Sequence, residues 1–468
     1  MALADIDHIV VLILENRSFD HMLGYLKRSG VLPKAEGIGD DAWIRDHKIT
    51  DAGVDYVCTR LDPAIQAISD PGHSAGDVDI QINGRAPGPK MQGFIDSYKR
   101  ESKPKPKASK AWRVMGFYEA DGVPIYDFLA RNFAVCDHWF AALPAGTQPN
   151  RLMAMGGTSL LSKNKAPLKR QPLVYDWLNA RGPNIWCAYQ WGQYMPFFAL
   201  MVKPWLGRIL KSINASYAKP NQPFRRYRFF GRDWRGADPL PPVIFLEPEY
   251  SDGPHDDPSD DHSPTGVAKG QAMVANIYET LISNPERWKK TMFVITYDEH
   301  GGFYDHVEPP AYETRTGDGH VFKTLGVRVP AIVVSPQVKP GSVFPARLDH
   351  TSILQLIADK LAGGSYSPEV DARQRDAALG LGRLADILTE PAGTDHRPPL
   401  SLELKAAVKR LVDLADMPSG EVHADSAMKQ AFDHAAAKAA TDFPKELEAA
   451  PLRALGTYAK TLPAEQAP

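Results

Sequence analysis

The sequence predicts an α/β fold, a mostly parallel β-sheet with helices on both faces. Three observations lead there. Short apolar segments rich in β-branched and aromatic residues recur along the chain, each about the length of a strand. Stretches with helical spacing separate them, and strands alternating with helices build parallel sheets covered on both sides. Two of the apolar segments stop abruptly at adjacent polar residues, and in open α/β sheets ligands bind in the crevice outside the carboxyl ends of the strands.

Taken in order, Ile6 to Leu14 reads as the first strand and Phe133 to Cys136 as a weaker one. Ile185 to Tyr189, Val243 to Leu246, Met292 to Tyr297 and Val329 to Val334 follow. Helical patterns cover Ile125 to Arg131, Gly266 to Ile282 and Thr351 to Leu361. In the last, Ile353, Leu354, Leu356, Ile357 and Leu361 share a face that needs burial. These elements place one large domain at residues 1–395. Two segments interrupt it as insertions. Residues 99–113 form a basic, proline-broken loop. Residues 203–236 mix arginines with aromatics, which suits either the wall of a substrate mouth near a lipid surface or ordinary loop packing. Residues 396–468 turn rich in Ala and Lys with helical periodicity and read as a C-terminal helical appendage.

Composition narrows the function classes. The 468 residues are 43% hydrophobic and 24% charged, ordinary for a globular chain. A formal net charge of −2 gives no global basic signature for nucleic acid. No apolar run approaches the roughly 18 residues that span a bilayer. The N-terminal run Ile9 to Leu14 is too short for a signal h-region, so the expectation is a cytoplasmic protein, or a secreted or periplasmic one whose signal has been removed. Cys58, Cys136 and Cys187 share no close spacing and suggest neither a disulfide framework nor a zinc site.

The chemistry concentrates at the strand ends. After Met292 to Tyr297 come Asp298 and Glu299, then His300, Gly301 and Gly302. Two acids at the edge of an apolar sheet are costly unless they hold a metal or another cation. The glycines let the backbone turn tightly beside them. After Leu14 come Glu15 and Asn16, an acid and an amide that together supply oxygen ligands for a divalent ion. Arg17 adds a fork suited to phosphate, while Asn16 or Ser18 suits the cap of a helix starting near Phe19. In LPAGTQPNRLMAMGG, Thr147 opens a helix-like run. Its hydroxyl is either a nucleophile favoured by the helix N-terminus and activated by a metal, or an N-cap without chemistry. His73 and His262 lie in turn-rich loops and are the histidines best placed to contact a phosphoryl oxygen or protonate a leaving alkoxide. Asp256, Asp257, Asp260 and Asp261 form a second acidic cluster, either another cation site or a solvated loop. His300, His306 and His350 read as supporting residues.

Taken together, ENRSFDHMLG, DPGHS, AGTQPNRL, DDHSPTGVAKGQ and TYDEHGGFYDHVEPP resemble the bacterial phosphoesterase family, which groups non-specific phospholipases C with acid phosphatases of the same build in the alkaline phosphatase superfamily. The resemblance runs from residue 6 to about 360. It implies an alkaline-phosphatase-like core and one divalent ion held by Glu15, Asn16, Thr147, Asp298 and Glu299. It implies a phosphothreonine intermediate at Thr147, with His73 and His262 binding phosphoryl oxygens. The all-oxygen ligand set favours Ca, Mg or Mn, with Zn also admissible. Threonine at the nucleophile position is similar to the phospholipase C branch, since the phosphatase branch commonly has serine. The plant-like motif has a second loop histidine where this chain has Thr265, leaving His255 as the nearby substitute. The leading expectation is a phospholipase C that cleaves phospholipid phosphodiesters, with transient membrane-surface contact. An acid phosphatase acting on monoesters with the same residues is the close alternative. A scaffold with a degenerate site and a sulfatase-like relative are the others; Thr147-Gln148-Pro149-Asn150-Arg151 has the sulfatase spacing but begins with threonine instead of a cysteine or serine.

Overall fold

The computed structural model describes residues 2–462 apart from 66, 85–89, 193–195, 202–204, 216–221, 254–256 and 416–425. Its centre is an eight-stranded sheet. In chain order the strands are β1 (His8–Leu14), β2 (Ala134–Cys136), β3 (Trp186–Gln190), β4 (Phe224–Arg226), β5 (Val243–Glu247), β6 (Thr291–Tyr297), β7 (Ala331–Val334) and β8 (Ser342–Phe344). Their spatial order is β8-β2-β7-β6-β1-β5-β3-β4. Among them only β7 runs against the rest, antiparallel to both β6 and β2. The expected mostly parallel sheet is therefore present. The direction of β7 was not legible, because an apolar run reads the same in either sense.

Every residue of β1, β5, β6 and β7 is buried, which requires cover on both faces. Helices supply it in two groups. Helix α1 (Pro124–Asn132) packs with α3 (Ala268–Ile282), and both contact α5 (Leu402–Ala415). Helix α2 (Thr147–Gly156) packs on α4 (Thr351–Leu361). None of the described helices is long and apolar enough to cross a membrane.

The register of the two central strands matters most. β1 and β6 pair in parallel with Leu14 opposite Tyr297. The next residues in each strand, Glu15 and Asp298, then Asn16 and Glu299, leave the sheet side by side.

Two segments differ from their expected form. Residues 203–236 hold a helix (Trp205–Ala215), the edge strand β4 and a short helix (Phe230–Arg235), not a plain loop; residues 203–204 and 216–221 lie outside the described part. Trp205, Leu206, Ile209, Leu210 and Ile213 recur at helical spacing and are all buried, which explains the order. Residues 99–113 begin in the last residues of a helix, Phe94–Glu101, and end within a 3-10 segment, Ala108–Met115, with residues 102–107 connecting the two. Among the described residues of 396–468, α5 and α6 (Ala427–Asp442) are the main elements. Val408, Met428 and Phe432 belong to the same contiguous apolar core as the sheet.

Candidate active site

Local chemistry explains how each strand end is shaped. Ser18, not Asn16, caps the first short helix by accepting the N–H of His21. Asn16 is left with φ of 62°, the left-handed region that Asn tolerates better than most residues. Gly301 also has positive φ, and a Cβ there would lie 2.1 Å from the Asn16 carbonyl oxygen. The turn after β6 therefore presses directly on the turn after β1.

The two turns lock together. The Asn16 N–H donates to Asp298 Oδ1 at 3.2 Å, and the Arg17 N–H donates to the Glu299 carbonyl at 3.1 Å. Thr147 arrives from α2. Its N-cap is Gly146, so the threonine is the first helical residue and not the cap. The Asn150 side chain bonds the backbone of Leu143, Ala145 and Gly146 and fixes the turn that presents it. One turn on, Arg151 reaches Glu15 Oε1 at 3.4 Å and Asp298 Oδ2 at 3.3 Å. Residues four apart share a helix face, so Thr147 lies on the side of α2 that carries Arg151. His73 and His262 complete the group. Asn16 Nδ2 lies 3.5 Å from His73 Nε2, Glu15 Oε2 lies 3.2 Å from His262 Nδ1, and the two imidazole centroids are 5.5 Å apart.

Six of the residues singled out from the sequence, Glu15, Asn16, His73, His262, Asp298 and Glu299, thus lie together, although they are spread over more than two hundred positions, and Thr147 opens the helix whose Arg151 faces two of them. Glu15, Asn16, Thr147, Asp298, Glu299 and His262 are buried. Asn16 Oδ1, Thr147 Oγ1 and Glu299 Oε1 have no hydrogen-bond partner among the described residues, and Glu15 Oε2 has only the His262 contact. Buried oxygens of this kind cost about 1–3 kcal/mol each when left alone, so a set of them marks a place for a cation. The donor set suits a hard divalent ion. Asp298 is the exception: Oδ1 accepts the Asn16 and Glu299 N–H groups and Oδ2 faces Arg151. Both of its oxygens therefore already have partners. Asp, Glu and His side chains able to hold a metal also group as Glu15, Asp260 and His262, all buried, and as Asp70, His73 and His262, with His73 partly buried.

Electrostatics agree with a cation-seeking site. Burial and the Asp298 charge push Glu15 up to about 8, against the opposing pull of His262 and Arg151. Burial raises Asp298 to about 6 although Arg151 opposes it. Burial works against the charged form of His262, but Asp70, Glu15 and Asp252 outweigh it and hold its pKa well above the ordinary value.

Several groups escaped the sequence reading. Arg151 was visible only as part of a spacing, and its charge role appears when the strands bring Glu15 and Asp298 together. Asp70 and Asp252 carried no signal beyond loop composition. Arg17 was expected as a phosphate fork. Instead its guanidinium is buried and donates to the carbonyls of Asp261 and Thr265 at 2.8 and 2.7 Å, holding the loop that carries His262. The four-acid cluster does not form among the described residues. Asp260 turns to Glu15 and His262, Asp261 accepts the hydroxyls of Tyr126 and Tyr297, Asp257 pairs with Lys269, and Asp256, like His255, lies outside the described residues. Asp261 has φ of 71°, which sends neighbouring carboxylates to opposite sides. His350 accepts the Trp139 indole N–H and donates to the Asp298 carbonyl; burial lowers its pKa to about 4, so it stays neutral. His300 binds Gln81, and His306 binds Asp20 and Glu36.

Oxygen donors and a helix N-terminus at the carboxyl edge of a mostly parallel sheet define an α/β protein with a candidate metal centre. The chain belongs to the Phosphoesterase family, whose profile matches residues 6–361. It is 35% identical to non-specific phospholipase C6 of Arabidopsis thaliana over 72% of this chain and 62% of that relative. It is 29% identical to phospholipase C A of Mycobacterium tuberculosis over 87% of this chain and 82% of that relative. The chain thus spans somewhat less than two thirds of the plant protein's length. Among solved structures it is similar to a protein in the alkaline phosphatase superfamily from Vibrio parahaemolyticus, at 13% identity and a TM-score of 0.30 over 54% of this chain and 64% of that one. It is similar also to a phosphonate monoester hydrolase from Silicibacter pomeroyi, at 13% identity and a TM-score of 0.31 over 53% and 70%.

Proposed function

We propose that the chain is a metal-dependent phosphoric ester hydrolase of the phospholipase C type, with Thr147 as its nucleophile. The observation that carries the reading is the set of buried, unpartnered oxygens on Asn16, Thr147 and Glu299, gathered where β1, β6 and α2 meet. Family membership and the phospholipase C names of the relatives support it.

Glu15, Asn16, Thr147 and Glu299, buttressed by Asp298, would hold one divalent ion. Such an ion, when bound, supplies positive charge that lowers the pKa of a hydroxyl and offsets charge on phosphoryl oxygens. The chain's own residues do the rest. Thr147, its hydroxyl proton already released to solvent, attacks phosphorus in line through Oγ, and the phosphorus–oxygen bond to the glycerol oxygen breaks. Cationic His262 gives its proton to the leaving alkoxide. His73 holds a phosphoryl oxygen, and the α2 N-terminus favours the negative charge beside it. Neutral His262 then takes a proton from an attacking water, the phosphorus–threonine bond breaks, and the phosphorylated head group leaves.

The test is hydrolysis of a nitrophenyl phosphocholine diester beside a nitrophenyl phosphate monoester, each with added divalent ions. The diester is the expected better substrate, and preference for the monoester would favour the acid phosphatase reading. Thr147→Ala is expected to lose roughly three orders of magnitude in kcat. Acid-quenched wild type, mixed with the phosphocholine diester, is expected to carry phosphocholine on the Thr147 peptide. Full activity in Thr147→Ala would remove the nucleophile from the scheme.

A further inference from the structure

The region matched by the family ends at residue 361, yet a residue well beyond it reaches the site. Helix α6 begins at Ala427, and Ser426 is its N-cap. The Ser426 oxygen accepts the Lys429 N–H at 2.8 Å, and its hydroxyl donates to Asp252 Oδ1 at 2.5 Å. The other oxygen of Asp252 lies 3.5 Å from His262 Nδ1. Asp252 and His262 are both buried. A second contact runs in parallel. Phe432, on the next turns of α6, packs against the Tyr250 ring with centroids 5.7 Å apart. The Arg151 guanidinium lies 5.4 Å from the centre of that same Tyr250 ring.

His262 needs this support. Three carboxylates compete for it: Glu15 and Asp252 at Nδ1, and Asp70 at Nε2 at 3.6 Å. If Asp252 swings away, Glu15 alone of these three remains at Nδ1, opposite Asp70 at Nε2, and the ring loses one of the two contacts that fix its Nδ1 edge. A carboxylate held by a hydroxyl whose own oxygen caps a helix is fixed at both ends. Ser426 therefore joins two tasks in one side chain, ending the helix and locking Asp252.

We propose that Ser426 is a positioning residue for the site: its hydroxyl holds Asp252, and Asp252 orients the His262 imidazole. The C-terminal helices then complete the site instead of decorating the domain. This rests on the role given to His262 above, so the test carries one measurement that needs no activity.

Three variants of the full chain separate the two tasks of Ser426. Ser426→Asp keeps a good N-cap but cannot donate, and it sets a like charge beside Asp252. Ser426→Thr keeps both cap and donor. Asp252→Asn keeps the shape and removes the charge facing His262. With the nitrophenyl phosphocholine diester, Ser426→Asp and Asp252→Asn are expected to lose on the order of 10-fold in kcat with KM little changed, as loss of an orienting partner does. Ser426→Thr is expected to match wild type. In histidine-labelled protein, the His262 imidazole resonance, assigned by its loss in His262→Gln, is expected to move in Ser426→Asp and stay in Ser426→Thr. Wild-type kcat with an unmoved resonance in Ser426→Asp overturns the proposal. So does an equal loss in Ser426→Asp and Ser426→Thr, which assigns the effect to the helix end alone. If wild type hydrolyses no phosphate ester, the functional reading fails and the resonance shift alone decides the positioning role.

Discussion

Replacing Arg151 by methionine probes the charge balance on which the site depends. The guanidinium is 3% exposed and lies between the rings of Phe197 and Tyr250, 5.6 and 5.4 Å from their centres. It faces Glu15 and Asp298 at 3.4 and 3.3 Å. Removing one partner of a buried ion pair costs about 3–5 kcal/mol, because the remaining charge has no compensation. Methionine keeps much of the volume, so the packing loss against the two rings is small beside that. The pH dependence follows from the folded-state pKa values. Glu15 is raised to about 8 and Asp298 to about 6, so both favour folding at low pH, and that contribution is lost as pH rises through those values. At pH 5 both are neutral and Arg151 has little to compensate. At pH 8.5 both are charged and its loss is felt in full. Urea unfolding of the chelated protein is therefore expected to show a destabilisation of about 3–5 kcal/mol at pH 8.5 and a clearly smaller one at pH 5. An equal loss at both pH values, or none at pH 8.5, would refute the charge-balance argument.

Three further outcomes are expected. Glu299→Gln and Asn16→Ala should each weaken divalent-ion binding, on the order of 10-fold or more by calorimetry, while Asp298→Asn should act more through the turn than through ligation; unchanged affinity in both of the first two would empty the proposed cage. Gly301→Ala places a Cβ 2.1 Å from the Asn16 carbonyl oxygen at a φ of +63°, so it should cost about 2 kcal/mol or more in unfolding free energy and lower ion affinity with it. His306 is raised to about 9, since Asp20 and Glu36 outweigh its burial; its contribution, at most about 3 kcal/mol, is present below about pH 6.5 and is lost as pH rises through 9. His306→Gln should flatten the alkaline side of the stability profile, and an unaltered profile would show that Asp20 and Glu36 do not hold the charge.

Much of this was legible because the relevant signals are local. The six strands marked from apolar runs all form, with ends shifted by at most a few residues, since burial on both faces leaves a continuous apolar run. Helix Thr351–Leu361 was bounded from its spacing alone. β4 and β8 were missed because each is an edge strand of only three residues, Phe224–Arg226 with two arginines and Ser342–Phe344 only partly buried, and so short a run leaves a weak trace. Arg17 was misassigned because a guanidinium suits a carbonyl cluster as well as a phosphate, and only the fold shows which one is near.

The sequence by itself determined the elements and the chemistry at their ends. Glu15-Asn16 and Asp298-Glu299 each follow a strand, Thr147 opens a helix, and the glycines after Glu299 permit the tight turn. The tertiary structure decided how these join. The parallel register with Leu14 opposite Tyr297 sets the four polar residues side by side, which a run of apolar residues cannot specify. It also decided the charges, because a carboxyl at about 8 exists only where burial removes water and another carboxylate stands beside it, and only the fold brings the Arg151 cation to that place. The reach of Ser426 to Asp252, across 174 positions, is of the same kind. Sequence spacing carries no record of contacts made between loops and helix ends far apart in the chain.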